Sequence, residues 1–119
     1  MASADARSIE LLYWEGCPSH PQALAELRDA LSELGRPDAA VALRRVASEA
    51  EAASLGFCGS PTIRVDGVDP VPPPPGEPTG LTCRVYRLAD GRYSPTPDPG
   101  LLREALERLL GPGAAEGAR

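Results

Sequence analysis

Cys17 has the clearest capacity for chemistry in this chain. It stands in Leu11-Leu12-Tyr13-Trp14-Glu15-Gly16-Cys17-Pro18-Ser19-His20-Pro21, where an apolar run gives way to glycine, proline and small polar residues, then to an Ala/Leu/Glu-rich helical pattern. That order sets the sulfur between a strand end and a helix N-terminus. Unpaired N–H groups and the positive end of the helix dipole meet there, and both favour thiolate over thiol. Partial exposure beside Gly16 and N–H donors from Ser19 and His20 act in the same direction. Cys17 is therefore the candidate nucleophile. His20 lies one helical turn on and has two readings. It protonates a leaving thiolate and steadies the Cys17 anion, or it is an ordinary solvent-facing residue of a first turn. No acid is placed to orient this only histidine, which argues against a Cys–His–acid hydrolase. Trp14 forms either an apolar wall for a substrate or part of the core, and Glu15 is either a proton-transfer group or a solvated loop acid.

The elements that must position Cys17 follow from periodicity. Ser8 to Tyr13 reads as a buried, central strand. Leu24, Leu27, Leu31 and Leu34 fall on one face of a helix over Pro21 to Leu34, stopped by Gly35 with Pro37 beyond. Val41 to Val46 is a strand. Ser48 caps a short helix with Glu49 and Glu51 in its first turn, ending near Leu55-Gly56. Pro61 opens a strand over Thr62 to Val65, where its missing N–H costs least. Asp66 to Gly80 holds Val71-Pro72-Pro73-Pro74-Pro75-Gly76-Glu77-Pro78, which suits neither a helix nor a central strand. It reads as a long loop of polyproline character, a stiff insert rather than a docking motif, because no aromatic or basic anchor flanks the prolines. Leu81 to Leu88 is a further strand. Ala89 to Arg92 and Ser94 to Pro99 are turn-rich, and Leu101 to Leu110 is a helix with Leu102, Leu106, Leu109 and Leu110 on one side.

Strands joined through a helix are expected to be parallel, and the last two to pair antiparallel across the Pro-rich loop. The expected fold is α/β: a four-stranded mixed sheet flanked by helices, with that loop between the last two strands. One domain spans 8–110, between disordered tails over 1–7 and 111–119.

A cysteine at a strand-to-helix turn, followed by Ser60-Pro61-Thr62 opening a later strand, resembles the thioredoxin superfamily from about Ile9 to Leu110. The stretch Tyr13-Trp14-Glu15-Gly16-Cys17-Pro18-Ser19 is similar to a small bacterial thioredoxin-like group. Some members of that group carry selenocysteine in place of the cysteine, and some are labelled alkylmercury-lyase-like. The resemblance implies a thioredoxin-like fold with a cis Ser60–Pro61 bond facing Cys17. It also implies a substrate path along Trp14, Glu15, Pro18, Ser19, Ser60, Pro61 and Thr62. It departs at His20, which stands where thioredoxin has the second cysteine of Cys-x-x-Cys, so the usual resolving thiol is missing from the motif. The loop before Pro61 would run along the site, which makes Cys58 a candidate resolving thiol. Cys83, in a Leu-x-Cys-Arg-Val-Tyr stretch, is another, although it also reads as a small apolar residue buried at a strand start. Glutathione or a protein reductant is the external alternative. A bridge needs a Cα within about 7 Å of that of Cys17.

These residues point to a thiol oxidoreductase in which Cys17 attacks a disulfide or peroxide and a second thiol resolves the product. Two rivals stand beside it: a thiolate binder of a soft metal such as Hg(II), if the three thiols converge, and a binding module of the same fold without chemistry. The cysteine spacings match no structural zinc pattern, and neither a metal nor a cofactor is expected. With 12 basic and 17 acidic residues the chain is a poor binder of nucleic acid, and no apolar run approaches a membrane span. Residues 1–8 contain no hydrophobic signal core, so a cytoplasmic location is expected. The Ala, Gly, Pro, Leu and Arg bias resembles that of GC-rich bacteria.

Overall fold

A computed structural model describes residues 8–111, so the tails expected over 1–7 and 111–119 lie outside the described residues except for Gly111. The elements are β1 (Ile9–Tyr13), α1 (His20–Glu33), β2 (Val41–Arg45), α2 (Glu49–Leu55), β3 (Thr62–Val65), β4 (Tyr86–Arg87), β5 (Tyr93–Ser94) and α3 (Pro99–Leu110). β1 is central in the order β2-β1-β3, with Leu11 opposite Leu43 on one side and Ile63 on the other. Successive residues of a strand face opposite ways. Thus Ile9 and Leu11 join Ile63 and Val65 under α1 and α3, while Leu12 turns to Val46, Ala52 and Phe57 beneath α2. Helices therefore cover both faces.

Local chemistry sets the boundaries. Gly35, at φ 80°, follows the end of α1. Ser48 caps α2 by accepting the Glu51 N–H at 3.0 Å, and the Glu51 carboxylate accepts the Ala47 N–H at 2.9 Å. Asp98 caps α3 by accepting from Gly100 and Leu101, and it also accepts from the Ala89 N–H at 2.9 Å.

Three expectations about the sheets are corrected. First, the main sheet has three strands, and a separate two-stranded hairpin takes the place of the fourth. Second, not every helix joins parallel strands. β1 and β2 are parallel, but β3 runs antiparallel to β1. Helix length decides this. The 14 residues of α1 reach about 21 Å, enough to return along a five-residue strand of about 17 Å. The 7 residues of α2 reach only about 10 Å, so the chain re-enters the sheet from the end at which it left. Third, the long loop does not lead into a strand over Leu81 to Leu88 antiparallel to β3. It carries the chain back to the start of β3, where Ser60 and Cys83 form one parallel bridge. Only Tyr86–Arg87 continues as strand. It pairs with Tyr93–Ser94, inside a region expected to be turns.

Candidate functional site

Cys17 is held from both sides in the sequence. On the β1 side its N–H donates to the Trp14 carbonyl at 3.0 Å, closing a tight turn. Gly16 lies under the Trp14 indole, where a Cβ would sit 2.4 Å from the ring and displace it. On the α1 side Ser19 is the N-cap residue, and its N–H points back at the sulfur. The expected partial exposure is not found: Cys17 is 1% exposed. The Ser60 loop covers it, and the Cys17 thiol donates to the Ser60 carbonyl at 3.4 Å. The Ser60–Pro61 bond is cis, as expected.

Opposing effects act on the Cys17 thiol. Burial pushes its pKa up. Hydrogen bonds that its charged form can accept from the Ser19 N–H, the Cys83 thiol, and the Ser60 and Ser19 hydroxyls pull it down and prevail, leaving it below the ordinary cysteine value. The buried Ser60 hydroxyl has no partner in the resting arrangement, and it lies where it can donate to a charged Cys17 sulfur.

Of the two candidate resolving thiols, the structure brings Cys83 to Cys17. The parallel bridge is made by the Ser60 N–H donating to the Thr82 carbonyl and the Arg84 N–H donating to the Ser60 carbonyl, both at 2.8 Å. The Ser60 carbonyl thus receives both the Cys17 thiol and the amide next to Cys83, which sets the two thiols near enough for each to shift the other's pKa. Cys83 is exposed, which corrects its reading as a buried strand residue. Its pKa is raised, first by its hydrogen bond to Cys17, then by burial and by the charge on Cys17. Cys58 points elsewhere, toward the Glu77 carbonyl at 3.5 Å and the Gly56 carbonyl at 3.7 Å. Among the described residues, no group of three or more Cys, His, Asp or Glu side chains is placed to hold a metal ion, so the three thiols do not converge.

His20 is not at the sulfur. Its Nδ1 is 3.3 Å from the Cys17 carbonyl and must carry the proton, since a carbonyl only accepts. Its ring stacks on Tyr13 with centroids 4.2 Å apart, and it is not among the groups that shift Cys17. Trp14 packs at the edge of the α2-side core and over Gly16. Glu15 is exposed and pairs with Arg45 at 3.5 Å, and Pro18 is exposed beside the cysteine. Pro61 and Thr62 are buried. The Pro61 carbonyl accepts the Tyr86 hydroxyl, and the Thr62 hydroxyl donates to the Gly59 carbonyl at 2.7 Å.

Sequence reasoning missed the group that fixes Cys83. Arg84 is buried and pairs with Asp69 at 2.7 Å. It also donates to the Thr62 hydroxyl at 3.2 Å and to the Val71 carbonyl, and lies 4.2 Å from the centre of the Tyr86 ring. One side chain therefore ties the Pro-rich loop, the start of β3 and the chain at Cys83 together. Burial pushes the Asp69 carboxyl up by more than the facing Arg84 charge holds it down. Alternation gave no sign of it: the apolar Val85 is exposed, while Arg84 and Tyr86 on either side of it are buried. Between the Pro-rich loop and Cys83 lies a cleft of about 620 Å³, bordered by Glu49, Glu77, Pro73, Cys58 and Tyr93.

Set against protein-family models, curated proteins and solved structures, the chain matches none.

Proposed function

We propose that this protein is a thiol–disulfide oxidoreductase of thioredoxin-like fold whose redox couple is Cys17 and Cys83. The observation that carries the reading is the shared Ser60 carbonyl, which accepts the Cys17 thiol at 3.4 Å and the Arg84 N–H, next to Cys83, at 2.8 Å. A lowered pKa at one sulfur and a neighbouring exposed thiol are what disulfide exchange requires. Further support for the fold comes from the element order, helices on both faces of a β1-centred sheet, and the approach of the loop before β3 to Cys17. In the reaction, the protein dithiol and a disulfide RSSR give the protein disulfide and two RSH, and two electrons pass from the protein to the substrate. The exchange partner is a small thiol such as glutathione, or a protein reductant. A couple that must be re-reduced fits a cytoplasmic setting, where thiols are kept reduced. A soft-metal reading loses its third thiol, because Cys58 faces Glu77.

The test is stoichiometric. Reduced protein carrying Cys58→Ser, mixed with excess oxidised glutathione, should lose both remaining thiols, release two glutathione thiols per chain and carry no bound glutathione by intact mass. Cys17→Ser or Cys83→Ser added to that background should stop at one released thiol and a stable mixed disulfide. One or two glutathiones left bound to the protein that keeps both cysteines would exclude the couple.

A further inference from the structure

The reading of Cys17 and Cys83 as a redox couple leaves open which sulfur meets the partner. The order of the motif favours Cys17. The geometry points the other way: we propose that Cys83 is the exchanging sulfur, reached through the cleft beside the Pro-rich loop, and that Cys17 is the buried partner that closes and opens the internal disulfide. This rests on the proposed couple.

Access is the first argument. Cys17 is 1% exposed beneath the Ser60 loop, whereas Cys83 is exposed and borders the cleft of about 620 Å³. Thiol attack on a disulfide needs an in-line approach to one sulfur, so the sulfur that can be approached is the one attacked. Chain position is the second. Arg84, next to Cys83, is fixed by Asp69, Thr62 and Val71, so Cys83 is presented from an anchored backbone rather than a loose loop. Leaving-group chemistry agrees. The sulfur with the lower pKa leaves faster, and that sulfur is Cys17.

The steps balance. A partner thiolate RS⁻ attacks Cys83 Sγ of the oxidised protein. The Cys83–Cys17 bond breaks, its electron pair stays on Cys17 as thiolate, and an RS–S–Cys83 bond forms. A second RS⁻ attacks the R sulfur of that mixed disulfide, releases RSSR, and leaves Cys83 to take up a proton. In sum, two RSH and the protein disulfide give RSSR and the protein dithiol. In the reverse direction Cys83, deprotonated, attacks RSSR and releases RS⁻; Cys17 thiolate then attacks Cys83 Sγ of the mixed disulfide and a second RS⁻ leaves, the two protons ending on the two RSH.

The cleft carries the carboxylates of Glu49 and Glu77, while the charge of Arg84 is matched by Asp69. The cationic disulfide cystamine is therefore a suitable probe. Two variants in a Cys58→Ser background, Cys17→Ser and Cys83→Ser, are mixed with cystamine, and the single cysteamine adduct is timed by intact mass. Cys83 in the Cys17→Ser protein should be modified at least about tenfold faster than Cys17 in the Cys83→Ser protein, because access limits the buried thiol. A second measurement uses the oxidised Cys58→Ser protein, mixed briefly with cysteamine and quenched with maleimide in acid denaturant. Cysteamine should be found on Cys83 and maleimide on Cys17. Equal or faster modification of Cys17 in the variants, or cysteamine on Cys17 after the quench, overturns the proposal. If the protein with both cysteines forms no internal disulfide, the couple itself has failed, whichever sulfur the variants show to be faster.

Discussion

At Cys17, several weak donors outweigh burial. The Ser19 N–H and Ser19 hydroxyl come from the helix start, the Ser60 hydroxyl from the covering loop, and the Cys83 thiol from across the bridge. The sequence made the first source visible, because Cys17 precedes a helix N-terminus. The last two come from residues far along the chain, which only the resemblance brought toward Cys17. The sequence also suggested His20, one turn away, yet that ring stacks on Tyr13 and bonds a carbonyl. Ultraviolet thiolate absorbance against pH, in a Cys58→Ser background, separates these contributions. Ser60→Ala and Cys83→Ala should each raise the Cys17 pKa, since each removes a hydrogen bond to the charged form. Thiolate would then appear at higher pH, and labelling near neutral pH would slow. His20→Ala should leave the Cys17 titration where it is. A clear rise on removing His20 would mean that the imidazole reaches the sulfur.

Among the elements, the segment from Gly59 to Arg84 does the positioning. Gly59 has φ 137°, and a Cβ there would lie 3.0 Å from the Arg84 backbone. Gly59→Ala should therefore destabilise the protein by about 1–3 kcal/mol and slow closure of the internal disulfide, which denaturant titration and a timed oxidation would show. Arg84→Ala should cost more, about 3–5 kcal/mol near neutral pH, because it leaves the Asp69 carboxylate buried without its partner. The sign of its pH dependence follows from the raised Asp69 carboxyl. With Arg84 gone that carboxyl is raised further, the folded state holds the proton more tightly than the unfolded one, and stability falls as pH rises through that interval. The deficit should thus shrink in acid. A deficit independent of pH would show that Arg84 acts through packing alone. None of this could be read from periodicity, since an extended Leu81 to Leu88 looks the same whether it pairs along a strand or at one bridge. The Asp90-Gly91 turn, with Gly91 at φ 92°, was the available sign that Tyr86–Arg87 pairs forward with Tyr93–Ser94 rather than back with β3.

For the whole molecule, the sequence was most legible where one periodic stripe meets one layer. Leu27 and Leu31 of α1 and Leu102 and Leu106 of α3 bury together against Leu11 and Ile63, as their spacing required. It was least legible where a long loop chooses its landing place. Asp66 to Gly80 carries no period, and its prolines restrict backbone angles without stating direction. Landing beside Ser60 brings Cys83, one of two candidate resolving thiols in the sequence, next to Cys17, with the unforeseen Arg84 as its support. Among the described residues no helix is long and apolar enough to cross a membrane. The proposed function rests on the Cys17–Cys83 dithiol. It is tested most directly by oxidising the unaltered protein mildly, blocking free thiols, and mapping the linked peptides without reductant. We expect a Cys17–Cys83 bridge with Cys58 blocked; a bridge from Cys17 to Cys58, or three free thiols, would contradict it.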